Sequence, residues 1–275
     1  MFRSPRLTLA AAITFTVAAA ALWLVTFRTA SGARIDATIM TGFLGLRGPR
    51  IDWLADVVAH LADPTPFAVA TVAIVTVAIL RRRPWLAGMA GVVLIGANAT
   101  TQALKMLTAE PRLASAMTGG YVDAASWPSG HATAAMTMAL CAAVVVPSRW
   151  RPFVLALGGV LTIAVGYSVL VLEWHLPSDV LGAFCVASVW SLLGITAATT
   201  LERRRARARP LELQAALGPA AAAGVAVAAG LAAAALARPD AALAYAVANT
   251  TFVVGAAAIG SAVLAATAAI AATAD

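Results

Sequence analysis

The chain has 275 residues, of which 61% carry hydrophobic side chains and 11% are charged. Its mean hydropathy is +0.88. Soluble domains have about 45–50% apolar and about 25% charged residues, so this chain has too few polar side chains to cover a surface in water. The composition excludes a disordered chain, a collagen-like repeat and a disulfide scaffold. It predicts an all-α protein, a bundle of several helices that cross a membrane.

The charge pattern agrees with a membrane protein. The net charge of +7 comes from short basic clusters between apolar runs, which is typical of cytoplasmic loops. A nucleic-acid partner is therefore not expected. Cys141 and Cys185 lie inside apolar runs and show neither CxxC nor Cys/His spacing, so neither a disulfide nor a zinc site is predicted.

Eight apolar runs are candidates for membrane spans, since about 20 apolar residues cross the hydrocarbon core. In chain order they cover residues 7–27, 57–80, 84–104, 132–146, 153–172, 180–200, 213–237 and 241–272. The first run could be a cleaved signal peptide, but its full length favours a retained span. Pro64 and Pro66 interrupt the second run, and the fourth run is short.

The basic residues predict the orientation of these spans. With the N-terminus inside, alternate loops carry twelve arginines and the opposite side carries seven basic residues. The positive-inside rule then places both termini in the cytoplasm of a multi-pass cell-membrane protein. We expect four parts: residues 1–34 with the first span, a core over 35–200, an Arg-rich linker over 201–212, and a C-terminal pair of Ala-rich spans over 213–275.

Three polar stretches fall at span ends, all on the predicted outer side, over residues 105–112, 127–131 and 168–179. Lys105 and Arg112 can neutralise a phosphate, the arginine through a planar fork, although either could also snorkel to the interface. Ser129 and Gly130 follow Pro128 at a helix start. Free backbone N–H groups there form an anion site, although such a turn is also a common way to begin a helix.

Two histidines in these stretches suggest catalysis. His131, in a first helical turn, can donate a proton to a leaving oxygen. His175 and Asp179 are four residues apart across Pro177, so the carboxylate can fix the imidazole tautomer while the other ring nitrogen attacks phosphorus. A lone His beside an Asp is also typical of a satisfied interfacial pair. The three stretches together, in this order and on one side, favour phosphate chemistry.

With these residues the chain resembles the type 2 phosphatidic acid phosphatase family, lipid phosphate phosphatases whose core is related to vanadium haloperoxidases. The family carries K-x6-R-P, P-S-G-H and S-R-x5-H-x3-D. Here the second motif is complete in 128–131, the first ends in Leu113 in place of proline, and the third has Val169 in place of arginine. The resemblance covers about residues 35–200, a six-span core, and leaves about two extra C-terminal spans outside it.

The resemblance implies a metal-independent mechanism without a cofactor. His175 would form a phosphohistidine with Asp179 orienting it, and His131 would protonate the leaving group and then activate water. The phosphate would be held by Lys105, Arg112 and the amides near Ser129 and Gly130.

Val169 leaves three outcomes open, since valine offers neither charge nor hydrogen bond. The protein is a slower phosphatase, a phosphatase completed by Arg47 or Arg50, or a relative that binds lipid phosphates or assists assembly. Glu173, near His175, would compete with an anionic substrate if it faced the site. A transporter is disfavoured because its charges would lie near the bilayer midplane. The known haloperoxidases that share these motifs are soluble, which disfavours that activity.

Two further segments have open interpretations. Asp52, Asp56, His60 and Asp63 have near-helical spacing, which fits a metal site or, more simply, a solvated polar face. Residues 35–46 read as an amphipathic stretch in the membrane interface, at an edge where lipid could enter. The expected substrate is a lipid phosphate at the outer face: a polyprenyl phosphate or diphosphate, phosphatidate, or phosphatidylglycerophosphate.

Overall fold

The computed structural model describes residues 5–205 and 239–274, and within these ranges all regular structure is helical, as predicted. The helices are α1 (Pro5–Arg28), α2 (Ala30–Leu44), α3 (Pro49–His60), α4 (Pro64–Leu80), α5 (Pro84–Leu107), α6 (Leu113–Thr118), α7 (Gly130–Val145), a 3-10 turn (Ser148–Trp150), α8 (Arg151–Val171), α9 (Pro177–Arg205), α10 (Pro239–Ala248) and α11 (Thr250–Ala274).

The described part of the chain has five helices long and apolar enough to cross a membrane, namely α1, α5, α8, α9 and α11. Helices α3 and α4 form a pair bent by 47°, which makes a sixth crossing if the pair is one span. The bend falls at Pro64 and Pro66, as the sequence predicted. Helix α7 has 16 residues and is shorter than the rest.

Two predicted C-terminal spans have different outcomes. The run 241–272, predicted as one helix, is two helices, because α10 ends at Ala248 and α11 begins at Thr250. At this junction the side chain and the backbone N–H of Asn249 both donate to the carbonyl of Tyr245, four residues back, at 3.0 and 2.9 Å. The run 213–237 lies outside the described residues.

Helix α7 lies at the centre of the bundle. Most of its residues are buried, including small side chains such as Ala134 and Ala135. It packs on α4, α5, α8 and α9. Gly158 of α8 allows a close approach, since a Cβ there would lie 2.6 Å from the Cβ of Ala139. Because α7 is enclosed by the surrounding helices, it can lie at the centre of the bundle although it is shorter than they are.

The two ends of α7 differ in chemistry. At its C-terminus the Arg81 guanidinium donates to the carbonyl of Val145, and Nε of Arg151 donates to the carbonyl of Ala143 at 3.1 Å. Cations there satisfy free carbonyls and the negative end of the helix dipole. At the opposite end of the bundle, the starts of α4, α7 and α9 meet the ends of α5 and α8. That end holds the polar motif residues.

Candidate active site

A cavity of about 310 Å³ opens at this end of the bundle. Its lining residues are Ala62, Pro64, Phe67, Asn98, Gln102, Lys105, Gly130, His131, Ala134 and His175. Among the described residues that line it, Lys105 is the one lysine or arginine. Four residues predicted from three separate motifs, Lys105, Gly130, His131 and His175, therefore share one cavity.

Helix α5 contributes one polar face to the cavity. Asn98, Gln102 and Lys105 follow each other at intervals of four and three residues, so their side chains point to the same side of the helix. The sequence motif includes only Lys105. The amides of Asn98 and Gln102 were missed, although their presence inside an apolar span is the signal that could have found them.

His175 is held by Asp179. Its Nδ1 lies 3.4 Å from Oδ2 of Asp179, and the same oxygen accepts from the backbone N–H of Leu176 at 3.0 Å. Pro177 begins α9, and its missing N–H costs nothing at the first helical position. The imidazole side chain is 7% exposed and borders the cavity. With Nδ1 on the carboxylate, Nε2 is the nitrogen that can react with a bound phosphate.

Arg112 lies behind Asp179 and does not line the cavity. It donates from Nη1 to Oδ1 of Asp179 at 2.6 Å, and from Nη2 to Asp36 at 3.1 Å and to Ser178 at 2.7 Å. Its side chain is fully buried, and the guanidinium stacks 3.8 Å from the ring centre of Phe27. The arginine predicted to bind phosphate thus clamps the carboxylate that orients His175. Its contact with phosphate stays a prediction.

Asp36 is the buried residue that sequence reasoning missed. Its carboxylate accepts from the backbone N–H of Ser178 at 2.9 Å and from the Ser178 hydroxyl at 2.7 Å, in addition to Arg112. Burial raises its pKa from 3.8 to about 6, against the opposing effect of the Arg112 charge. Helix α2 buries Asp36, Met40 and Phe43 against the bundle, so the predicted interfacial stretch is partly interior.

Ser129 and Gly130 begin α7. Ser129 is the N-cap residue, and its hydroxyl accepts from the backbone N–H of Ala132 at 3.4 Å. Its own backbone N–H donates to the carbonyl of Asp179 at 3.0 Å, which ties the start of α7 to the start of α9. Ser129 is fully buried, whereas Gly130 borders the cavity. The helix N-terminus predicted to bind an anion therefore faces the cavity through Gly130.

His131 contacts a carboxylate from the bend between α3 and α4. Its Nε2 lies 3.0 Å from Oδ1 of Asp63, and the two side chains are 25% and 34% exposed. The ring of Trp174 lies 5.3 Å from the imidazole, centre to centre. The polar face predicted over α3 thus supplies a partner for His131. In the described part of the chain, no group of three or more His, Cys, Asp or Glu side chains could hold a metal ion.

The substituted motif position and its neighbours form a tight turn. Val169 is fully buried, and its carbonyl accepts from the backbone N–H groups of Trp174 and His175 at 3.0 and 3.3 Å. Glu173 pairs with Arg47 at 3.7 Å, and Arg47 also lies 3.6 Å from Asp52. Neither Arg47 nor Glu173 is among the residues that border the cavity. Arg47 therefore does not supply to the cavity the positive charge that an arginine at position 169 would carry.

The chain is similar to known proteins in sequence and in fold. Residues 86–203 match the family model of the PAP2 superfamily. The fold is similar to that of the first transmembrane PAP2-type phosphatidylglycerolphosphate phosphatase from Bacillus subtilis, with a TM-score of 0.54 and 21% identity over 74% of this chain and 98% of that one. No curated protein matches the chain.

The chain is a polytopic helical membrane protein with the fold of a transmembrane phosphatase. The match of residues 86–203 to the PAP2 superfamily model confirms the family resemblance predicted from the three motifs.

Proposed function

We propose that this protein is a lipid phosphatase that hydrolyses a phosphomonoester or diphosphate of a membrane lipid through a phosphohistidine. The observation that carries the proposal is the pairing of His175 with Asp179 at the edge of a cavity that also holds Lys105 and His131. A nucleophile with an orienting carboxylate, a cation and a second imidazole are the parts that phosphoryl transfer through histidine needs.

In the first step, Nε2 of His175 attacks phosphorus and the bond from phosphorus to the leaving oxygen breaks. His131 gives its proton to that oxygen, so the lipid leaves as an alcohol, or as a monophosphate when the substrate is a diphosphate. The ionised Asp179 stabilises the positive charge that develops on His175. Lys105 and the N–H groups at the start of α7 stabilise the negative charge on the equatorial oxygens.

In the second step, water attacks the phosphohistidine and gives a proton to the neutral His131. The bond from phosphorus to Nε2 breaks, inorganic phosphate leaves, and His175 and His131 return to their starting states. All groups in these steps are side chains and backbone amides of this chain, so the proposed reaction needs no metal ion or cofactor.

The proposed substrates are lipid phosphates because the cavity opens at one end of membrane-spanning helices, where lipid headgroups lie. Polyprenyl phosphates or diphosphates, phosphatidate and phosphatidylglycerophosphate all place a phosphate at this depth. The distribution of arginines in the sequence supports an extracytoplasmic site with both termini in the cytoplasm, because twelve of them fall in the loops predicted to be cytoplasmic.

A second candidate, a weak phosphatase or a binder of lipid phosphates, is favoured by two observations. Val169 replaces the arginine of the third motif, and Arg112 is occupied by Asp36 and Asp179. One preorganised donor is typically worth about 10²–10³ in rate, so the absence of two arginine contacts would lower turnover strongly. Such a protein would still bind lipid phosphates through Lys105 and the amides of α7.

The test is phosphate release by the purified protein in detergent, with chelator, from a panel of lipid monophosphates and diphosphates. His175→Ala runs beside the wild type, and Val169→Arg is the third sample. Release that disappears in His175→Ala supports a metal-independent phosphatase. Release by Val169→Arg alone favours the binder, and silence from all three samples contradicts the enzyme assignment for that panel.

A further inference from the structure

The contact between His131 and Asp63 joins two segments that are far apart in sequence. His131 is the second residue of α7, and Asp63 is the last residue before α4, 68 positions earlier. The distance of 3.0 Å between Nε2 and Oδ1 is that of a charge-assisted hydrogen bond. No sequence motif of the resemblance includes Asp63.

The local sequence explains why this carboxylate is free to reach His131. Asp63 is the N-cap residue of α4, and a cap aspartate normally accepts from the N–H of the second or third helical residue. Here the third helical residue is Pro66, which has no N–H, and Asp63 makes no side-chain capping bond. One of the two usual capping donors is therefore absent, and the carboxylate contacts His131 instead.

The surroundings of His131 contain groups that can carry positive charge and a carboxylate. Lys105 of α5 and His175 of the turn before α9 border the cavity together with His131. His60 of α3 lies 3.9 Å from the other oxygen of Asp63. Burial and the positive charges that His175 and Lys105 can carry lower the pKa of His131, whereas its hydrogen bond to Asp63 raises it.

We infer that Asp63 is a positioning residue that fixes the tautomer of His131 and stabilises its protonated form. The inference rests on the proposed function of His131 as the proton donor. It gives the site two histidine–carboxylate pairs, one for the nucleophile and one for the acid and base.

The proton balance follows from the contact. Protonated His131 donates Nε2–H to the ionised Asp63 and holds its second proton on Nδ1. That Nδ1 proton passes to the leaving oxygen, which leaves a neutral imidazole still bonded to Asp63 through Nε2–H. Nδ1 then accepts a proton from the attacking water, and Asp63 stays ionised throughout.

The first test compares pH–rate profiles of phosphate release by the full chain in detergent, from the best lipid phosphate. Asp63→Asn should lower turnover by at least about tenfold at neutral pH and move the alkaline limb by about one pH unit to lower pH. Asp63→Glu should restore part of the turnover and move the alkaline limb part of the way back. Asp56→Asn is the matched control, because Asp56 lies on α3 and contacts His60, with Nδ1 of His60 at 3.5 Å.

A double-mutant cycle separates this role from a structural one. If Asp63 acts through His131, then Asp63→Asn has no further effect on turnover in a His131→Ala background. An equal loss in both backgrounds would overturn the inference. So would an active Asp63→Asn variant with the wild-type pH profile.

A second readout does not need activity. The chain has three histidines, so labelled imidazoles can be assigned by NMR from single His→Ala variants. In Asp63→Asn the titration of His131 should shift to lower pH, while Asp56→Asn leaves it in place. An unchanged His131 titration would contradict the inference even if the wild type releases no phosphate, an outcome that would bear on the proposed function alone.

Discussion

The two histidine–carboxylate pairs of the cavity differ in how they are supported. His175 and Asp179 are 7% and 0% exposed, and Arg112 and Asp36 stand behind them, fully or almost fully buried. His131 and Asp63 are 25% and 34% exposed, and water can reach both side chains. A buried carboxylate stays ionised only if it is paired, whereas a partly solvated one does not depend on a partner in this way.

The two pairs are therefore expected to connect stability and function differently. The proposed nucleophile His175 is oriented by the same ionic cluster that joins α2, α9 and the segment before α6, so damage there should affect both folding and activity. The proposed acid–base pair of His131 and Asp63 is partly exposed, so removal of its carboxylate should cost little stability.

We expect the largest loss of phosphate release when the proposed nucleophile is removed. His175→Ala should lower phosphate release by at least about 10³-fold, because no other group can form the intermediate. His60→Ala is the control, since that imidazole is 51% exposed and lies outside the cavity lining. It should change turnover by no more than a few-fold. Equal losses in the two variants, measured by phosphate release, would contradict the assignment of His175.

Arg112→Ala should destabilise the fold by about 3–5 kcal/mol, since it leaves Asp36 and Asp179 buried without their cation. Thermal or denaturant unfolding in detergent measures the effect. Arg28→Ala removes an exposed pair with Glu110 and should cost no more than about 1 kcal/mol. If Arg112→Ala unfolds like Arg28→Ala, then the buried cluster does not support the nucleophile as described.

Lys105→Ala tests the charge in the cavity. Loss of one preorganised cation should lower turnover by about 10²–10³-fold, while the unfolding midpoint changes little. Lys105→Arg keeps the charge and should recover much of the rate. A Lys105→Ala variant with more than a tenth of wild-type turnover would mean that phosphate is held elsewhere.

The smallest effect is a pH dependence of stability. The pKa of Asp36 is about 6 in the folded protein and near its ordinary 3.8 when unfolded, so the folded state binds this proton more tightly. The resulting stabilisation is present below about pH 4 and is lost as the pH rises through 6. The midpoint of Asp36→Asn should therefore lack a decline of a few degrees that the wild type shows across this range. If the unfolding midpoints of the two proteins change with pH in parallel, the raised pKa of Asp36 is contradicted.

The sequence determined the class of fold and the composition of the catalytic motifs. Apolar runs predicted a helical membrane bundle, and the alternation of spans predicted that Lys105, His131 and His175 meet at one end. The fold class and the family resemblance are confirmed, and these three residues lie around one cavity. These features could be predicted because span length and motif spacing are local properties of the chain.

The partners of the charged side chains depend on the tertiary structure. Asp36 and Arg112 are 76 positions apart, and Asp63 and His131 are 68 apart, so no local sequence pattern predicts either contact. Arg112 could be assigned to phosphate from its motif, but its burial depends on how α1, α2 and α9 close around it. The cost of burying charge made those pairings necessary, and only the packed bundle determines which charges are buried.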